Sequence, residues 1–202
     1  MRIYIDLWVK KLDDKTLYLF KKLGYKAIAH EGESIATKDI VVVKKKVVRV
    51  SSKSELLEAL KGIKRDKVIV SVKPLSIEVA RAAAHDSRVD TIIIDRESLK
   101  YIDKPQINLM KQFVKPLELP LSSFLKYSPS IRAMIYRRIK YYFFYAKQPI
   151  IVSSCAETWN EIMIPKSTIY LLSQLLDLSP KETILFITTY PREILIHNGV
   201  SI

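Results

Sequence analysis

Short apolar runs, each about a strand long, alternate along this chain with segments of helical periodicity, and that alternation limits its fold more than any other feature. Residues 3–9, 25–29, 68–72, 91–94, 114–119 and 150–152 read as strands, rich in Ile, Val, Leu and Tyr. The run 91–94 lies between Asp90 and Asp95, the pattern of a strand covered on both faces. Residues 40–43 and 47–50 read as two further strands, split by a turn or bulge at Lys44-Lys45-Lys46. Asp13 or Asp14 can cap a helix to Lys22 with Leu17, Phe20 and Leu23 as its apolar stripe, and Gly24 stops it. Ser52 or Ser54 caps a second helix to Lys61, closed by Gly62. Helices are also predicted over 75–84, 104–112 and 130–147, and from Pro165 to Asp177, while Pro180 and Pro191 suit first helical turns.

Strand and helix alternate about seven times with short links, which calls for parallel strands joined by right-handed crossovers. A chain of 202 residues sits at the low end for a βα barrel, and a doubly wound open sheet is the competing architecture. With no internal repeat, linker or shift in composition, residues 1–202 read as one domain.

Charge narrows the partners. Lys and Arg number 34 against 21 Asp and Glu, a net charge of +13, which favours a polyanion. At 49% apolar, the chain can bury a core and is not a disordered one. It lacks an apolar run of 18 residues, so no membrane partner is expected. The start Met1-Arg2-Ile3-Tyr4-Ile5-Asp6 meets an acid at once and does not resemble a secretory signal. Cys155 stands alone, which excludes an internal disulfide and fits a reducing cytoplasm.

In a βα barrel, chemistry gathers beyond the strand C-termini. Those positions hold His30-Glu31-Gly32-Glu33, Ser51-Ser52, Ser71, Lys73, Asp95-Arg96 and Ser153-Ser154, although serines and acids there are also ordinary helix caps. His30, His85 and His197 are isolated in sequence, and neither paired cysteines nor a His-Glu-x-x-His exists, so no metal site is expected. Glycine-rich phosphate loops and a Gly-x-Ser-x-Gly elbow are absent. Cys155 has no histidine beside it and reads as a packing residue.

The stretch 119–156 differs from the rest. It carries six cations, Lys126, Arg132, Arg137, Arg138, Lys140 and Lys147, and no acid. On a helix, Ile131, Met134, Ile135, Ile139, Tyr142 and Phe143 share one apolar face. Arg132, Arg137 and Lys140 point away from it, with Arg138 at the boundary and Tyr136 and Tyr141 among the cations. Arginine forks match phosphate oxygens, and exposed tyrosines can stack on unpaired bases. A second basic group is Lys44, Lys45, Lys46 and Arg49; a third is Arg81, Arg88 and Arg96.

The segment Ala82-Ala83-Ala84-His85-Asp86-Ser87-Arg88-Val89-Asp90-Thr91-Ile92-Ile93-Ile94, with its arginine two residues before an aspartate, resembles the central motif of archaeal ribonuclease P protein component 3. That family is homologous to the thirty-kilodalton subunit of the nuclear enzyme. Pro149-Ile150-Ile151-Val152-Ser153-Ser154-Cys155-Ala156 is similar to its strand ending in a serine pair, followed by Ile164-Pro165 and a helix. Tyr4-Ile5-Asp6-Leu7 and Leu23-Gly24-Tyr25 resemble its first two strands. The resemblance implies a TIM-like (βα) barrel akin to the polymerase and histidinol phosphatase superfamily, with extra C-terminal helices. It further implies partnership with ribonuclease P RNA, protein component 2 and other subunits, acting on precursor tRNA. Cleavage and its Mg²⁺ would belong to the RNA, with neither cofactor nor catalytic residue in the protein. Arg88, within the matching motif, is the RNA contact the resemblance favours. Arg137, Arg138, Lys140, Arg132, Lys126, Arg81, Arg96 and Lys45 complete the candidate set. Residues 183–190 have strand-like composition, but the resemblance implies helix there. The alternatives are a metal-dependent phosphoesterase on a related barrel and a subunit that binds only protein.

Overall fold

The computed structural model describes residues 3–35, 37–63 and 67–202. Its strands are β1 (Tyr4–Val9), β2 (Tyr25–His30), β3 (Val41–Val50), β4 (Val68–Pro74), β5 (Thr91–Ile93), β6 (Leu117–Pro120) and β7 (Ile150–Ser153). They pair in parallel in the order β1-β2-β3-β4-β5-β6-β7. β7 then returns to β1. Cys155 N–H donates to Trp8 O at 2.7 Å, Lys10 N–H to Ala156 O at 2.9 Å, and Val9 bridges Ala156. The sheet therefore curls into a nearly closed barrel, and the open doubly wound alternative does not hold.

Helices α1 (Asp14–Lys22), α2 (Lys53–Leu60), α3 (Ile77–His85) and α4 (Lys104–Gln112) cover the outside. Asp13, Ser52, Ser76 and Asp103 cap them through their side chains, as short polar residues before helices should. Gly24 takes φ +86° after α1, the left-handed turn that an L side chain resists. β2 and β3 join without a helix among the described residues, so the alternation breaks there. Between β6 and β7 run α5 (Leu121–Lys126) and α6 (Pro129–Tyr141), the latter continued by a π-helical turn over Tyr142–Ala146. After β7 come α7 (Pro165–Leu176), α8 (Pro180–Thr183), a 3-10 turn (Ile184–Ile187) and α9 (Thr189–His197), so residues 183–190 are helical as the resemblance implied.

Two expectations need correction. The triple lysine is not a turn but the middle of one ten-residue strand. Side chains alternate across a strand, so Val43, Lys45 and Val47 share a face that the neighbouring lysines leave. The expected strand over 114–119 starts only at Leu117, because Val114 adopts φ +50° and is exposed in the turn after α4.

The barrel interior is layered. At the strand N-termini, Ile5, Leu7, Ala27, Ala29, Val43, Ile69 and Ile151 pack together and are closed off by Ile194, Leu195 and Val200 from the C-terminal segment. At the other end, Trp8, Val47, Ile93 and Cys155 form a second apolar layer. Between the barrel and its helices lies the larger core, which includes Val72, Ile92, Ile107, Leu119, Ile135, Ile139 and Leu172. The segment around Asp90 ties these parts together. Asp90 accepts from Val70 N–H at 2.7 Å and from Asn198 Nδ2 at 2.9 Å, and Lys67 N–H donates to Asn198 O at 3.0 Å.

Candidate functional site

Between the two apolar layers lies a polar one. Lys45 Nζ donates to both oxygens of Glu118, at 2.8 and 2.9 Å. The same carboxylate accepts from Ser71 at 2.8 Å, Thr91 at 2.5 Å and Ser153 at 2.6 Å. Both members of the ion pair are 0% exposed at the side chain. Burial alone would push the Glu118 carboxyl up; the Lys45 ammonium and the hydroxyls of Ser153 and Thr91 hold it below the usual carboxylate range. Lys45 Nζ also lies 5.3 Å from the Trp8 ring centre. Both Glu118 oxygens are thus taken up by neighbours inside a filled interior.

Lys45 was a candidate RNA contact, and its burial removes it from that set. Glu118 was not foreseen. Its signal in the sequence is one acid inside the apolar run Leu117-Glu118-Leu119-Pro120, facing one lysine of an inward strand position.

The polar residues of the barrel mouth are also committed. Asp95 pairs with Lys73 and accepts from Glu97 N–H at 2.9 Å and Ser98 N–H at 3.0 Å. His30 is folded back on its own loop: Gly32 N–H donates to Nδ1 at 3.2 Å, and Nε2 faces Glu33 O at 2.6 Å. A Cβ on residue 32 would stand 2.4 Å from the imidazole, so a side chain there would displace His30. Glu31 accepts from the Trp8 indole at 2.7 Å. Ser52 caps α2 in a capping box with Glu55. Asp6 lies at the β1–β7 seam, accepting from Trp8 N–H at 3.0 Å and from Ser154 N–H at 3.0 and 3.2 Å. Its carboxyl is pushed up to about 6 by burial, against those hydrogen bonds. Burial likewise raises the Cys155 thiol to about 11, which keeps it protonated and inert. No group of three or more His, Cys, Asp or Glu that could hold a metal exists among the described residues.

The structure sorts the surface cations. Arg81 Nη2 donates to both oxygens of Asp103 at 2.7 and 2.9 Å, and Nη1 donates to Gln106 at 2.7 Å. Arg88 forks onto Asp86 at 3.0 and 2.6 Å and touches Leu60 O at 3.2 Å, with its side chain 34% exposed. Arg138 donates to Ile102 O at 2.5 Å, which joins α6 to the segment before α4. Lys126 pairs with Glu161, and Lys140 lies 3.6 Å from Asp177. Arg96, Arg132 and Arg137 form no ion pair among the described residues. On α6 and the π-helical turn after it, the buried stripe is Ile135, Ile139 and Tyr142, with Ile131 and Phe143 partly covered. Met134, placed on that face by the sequence, is 53% exposed, because the face turned inward is narrower than six residues.

These features define a TIM-like (βα) barrel with a sealed interior, whose unpaired cations lie on outer helices and loops. The family model described as RNase P subunit p30 matches residues 3–201, and the chain belongs to that family. It is accordingly a protein subunit of ribonuclease P. A chain in a cryo-EM structure of archaeal ribonuclease P with mature tRNA has the same fold. The TM-score is 0.80 at 17% identity, over 96% of this chain and 91% of that one. No curated protein sequence matches this chain. Among the described residues, no helix is long and apolar enough to cross a membrane.

Proposed function

We propose that this chain binds and steadies the RNA of ribonuclease P through the outer face of α5 and α6, while removal of the 5′ leader from precursor tRNA is performed by that RNA with Mg²⁺. The observation that carries this reading is the acid-free stretch 119–156 with its cations Lys126, Arg132, Arg137 and Lys140, of which Lys126 meets Glu161 and Lys140 meets Asp177 from outside the stretch. Among the described residues, Arg132 and Arg137 have no carboxylate to give up before meeting a phosphate. Arg96 adds a separate contact at the barrel mouth, and the partly exposed Arg88 can share its guanidinium between Asp86 and RNA. Arg81 and Arg138 serve packing first. Lys and Arg neutralise phosphates without reading bases, so affinity should fall steeply with salt. The filled barrel supports a role without chemistry of its own and disfavours the metal-dependent phosphoesterase. Protein component 2, the partner implied by the sequence resemblance, would join it on the RNA, in the cytoplasm.

The test is Arg132→Gln, Arg137→Gln and Lys140→Gln combined. The slope of log affinity against log salt for the RNA should become shallower by about 2 to 3, and RNA-dependent cleavage should fall. An unchanged slope and unchanged cleavage would remove α6 as the contact surface.

A further inference from the structure

Helix α6 does not end as an ordinary α-helix. Its last turn, Tyr142–Ala146, is a π-helix closed by Lys147 at φ +53°. Such turns are rare and concentrate at functional sites. Here the turn sets Phe144 and Tyr145 outward, 51% and 44% exposed, while Tyr142 and Ala146 are buried beneath them. Tyr145 stacks on Tyr141, with ring centroids 5.0 Å apart and planes 11° from parallel. Cations surround these rings. Lys111 of α4 lies 5.3 Å from the Tyr145 ring centre and Lys140 lies 5.8 Å from that of Phe144. Arg137 is exposed on the preceding turn. The carboxylate facing this group is Asp177 beyond α7, 3.6 Å from Lys140.

We propose that this turn is a stacking platform for unpaired bases of the enzyme's own RNA subunit, with Phe144 and Tyr145 taking base faces and Lys111, Arg137 and Lys140 neutralising the adjoining phosphates. The proposal rests on the RNA-binding reading above and names what that surface selects. Every base offers a π-face, so aromatic rings set in a basic surface bind single strands with little sequence preference. A duplex hides those faces and would meet the cations only. The excess of cations favours a polyanion over an apolar protein partner. Exposed aromatics on a subunit are suited to a permanent partner, which points to the RNA subunit and not to the substrate.

The experiment pairs binding with crosslinking. The whole protein, the variant Phe144→Ala with Tyr145→Ala, and the rescue variant Phe144→Tyr with Tyr145→Phe are titrated with a labelled single-stranded 12-nucleotide RNA and with a 12-base-pair RNA duplex. Ring removal should weaken single-strand binding by about 5- to 160-fold per ring. It should leave duplex binding and the salt slope unchanged, and the rescue variant should bind like the native protein. Both rings are exposed, so the thermal midpoint of the alanine variant should stay close to the native value, which separates lost contact from lost fold. p-Benzoylphenylalanine in place of Tyr145 should crosslink to the RNA subunit in the reconstituted particle. Equal loss for strand and duplex, no loss for either, or a crosslink only to tRNA or to another protein would overturn the platform. If ring removal has no effect while neutralising Arg132, Arg137 and Lys140 still weakens RNA binding, the platform alone fails; if neither change has an effect, the RNA-binding reading of this face fails with it.

Discussion

Replacing Lys45 by Met would leave Glu118 sealed in the barrel without its counter-charge. Methionine nearly fills the space of the lysine stem, so the loss is electrostatic and not a cavity. Breaking a buried ion pair by removing one partner costs about 3–5 kcal/mol. Here Ser71, Thr91 and Ser153 still donate to the carboxylate, which favours the lower end of that range. Protonation sets a second bound. From the ordinary value of 4.5, neutralising Glu118 at pH 7 costs about 1.4 kcal/mol for each of 2.5 units, or about 3.5 kcal/mol. The carboxyl protonates before the penalty grows much beyond that. The pH dependence then changes sign. In the native protein the folded Glu118 carboxyl sits below its unfolded value, so its contribution is present above about pH 4.5 and is lost as pH falls through the folded value. In Lys45→Met its folded value is raised, so the deficit should shrink by about 1.4 kcal/mol per unit as pH falls from 7 towards 4.5. Adding Glu118→Gln keeps an acceptor for the hydroxyls and should restore most of the stability at pH 7. Urea unfolding across this pH range measures all three. A loss under about 1 kcal/mol at pH 7, or no recovery on acidification, would refute the reasoning.

Two further outcomes follow from buried carboxylates. Asp6 has its folded value raised from 3.8 to about 6, so its contribution is full below about pH 3.8 and is lost as pH rises to about 6, a cost of about 3 kcal/mol at neutral pH. Asp6→Asn retains an acceptor for Trp8 N–H and Ser154 N–H, and should raise the thermal midpoint at pH 7.5 but not at pH 4; equal shifts at both would contradict the burial argument. Asp90→Ala strands the Val70 N–H and the Asn198 amide, and should cost about 2–5 kcal/mol in urea unfolding, with faster hydrogen exchange in α9; unchanged exchange there would show that Asn198 is held by other means.

The parallel βα order was readable from the apolar runs, because each buried strand must be apolar wherever it meets core; the choice of a barrel over a doubly wound sheet came from the family resemblance. Caps such as Asp13 and Ser52 were readable because an N-cap is a local interaction. The polar layer was not. Lys45 and Glu118 are 73 residues apart, and nothing local marks them as partners. A run of three lysines looks solvated, and only the inward face of β3, set by its register with β4, makes the middle one different. The basic face of α6 was legible as charge, but its aromatic part was placed on Tyr136 and Tyr141. The π-turn that turns Phe144 and Tyr145 outward depends on packing by Tyr142, whose hydroxyl donates to Lys115 O. Arg138 was read as a contact for the same reason, since its acceptor, Ile102 O, is contributed by another element.

The central claim is that the chain supports an RNA and performs no cleavage itself. Its most direct measurement is precursor-tRNA cleavage in a reconstituted particle, with and without this chain, alongside the chain alone with Mg²⁺, Mn²⁺ or Zn²⁺. The account predicts faster cleavage, or cleavage at lower Mg²⁺, when the chain is added to the RNA and remaining subunits, and none from the chain alone with any of these ions. Hydrolysis of a phosphoester by the chain without RNA, or a particle indifferent to its omission, would contradict it.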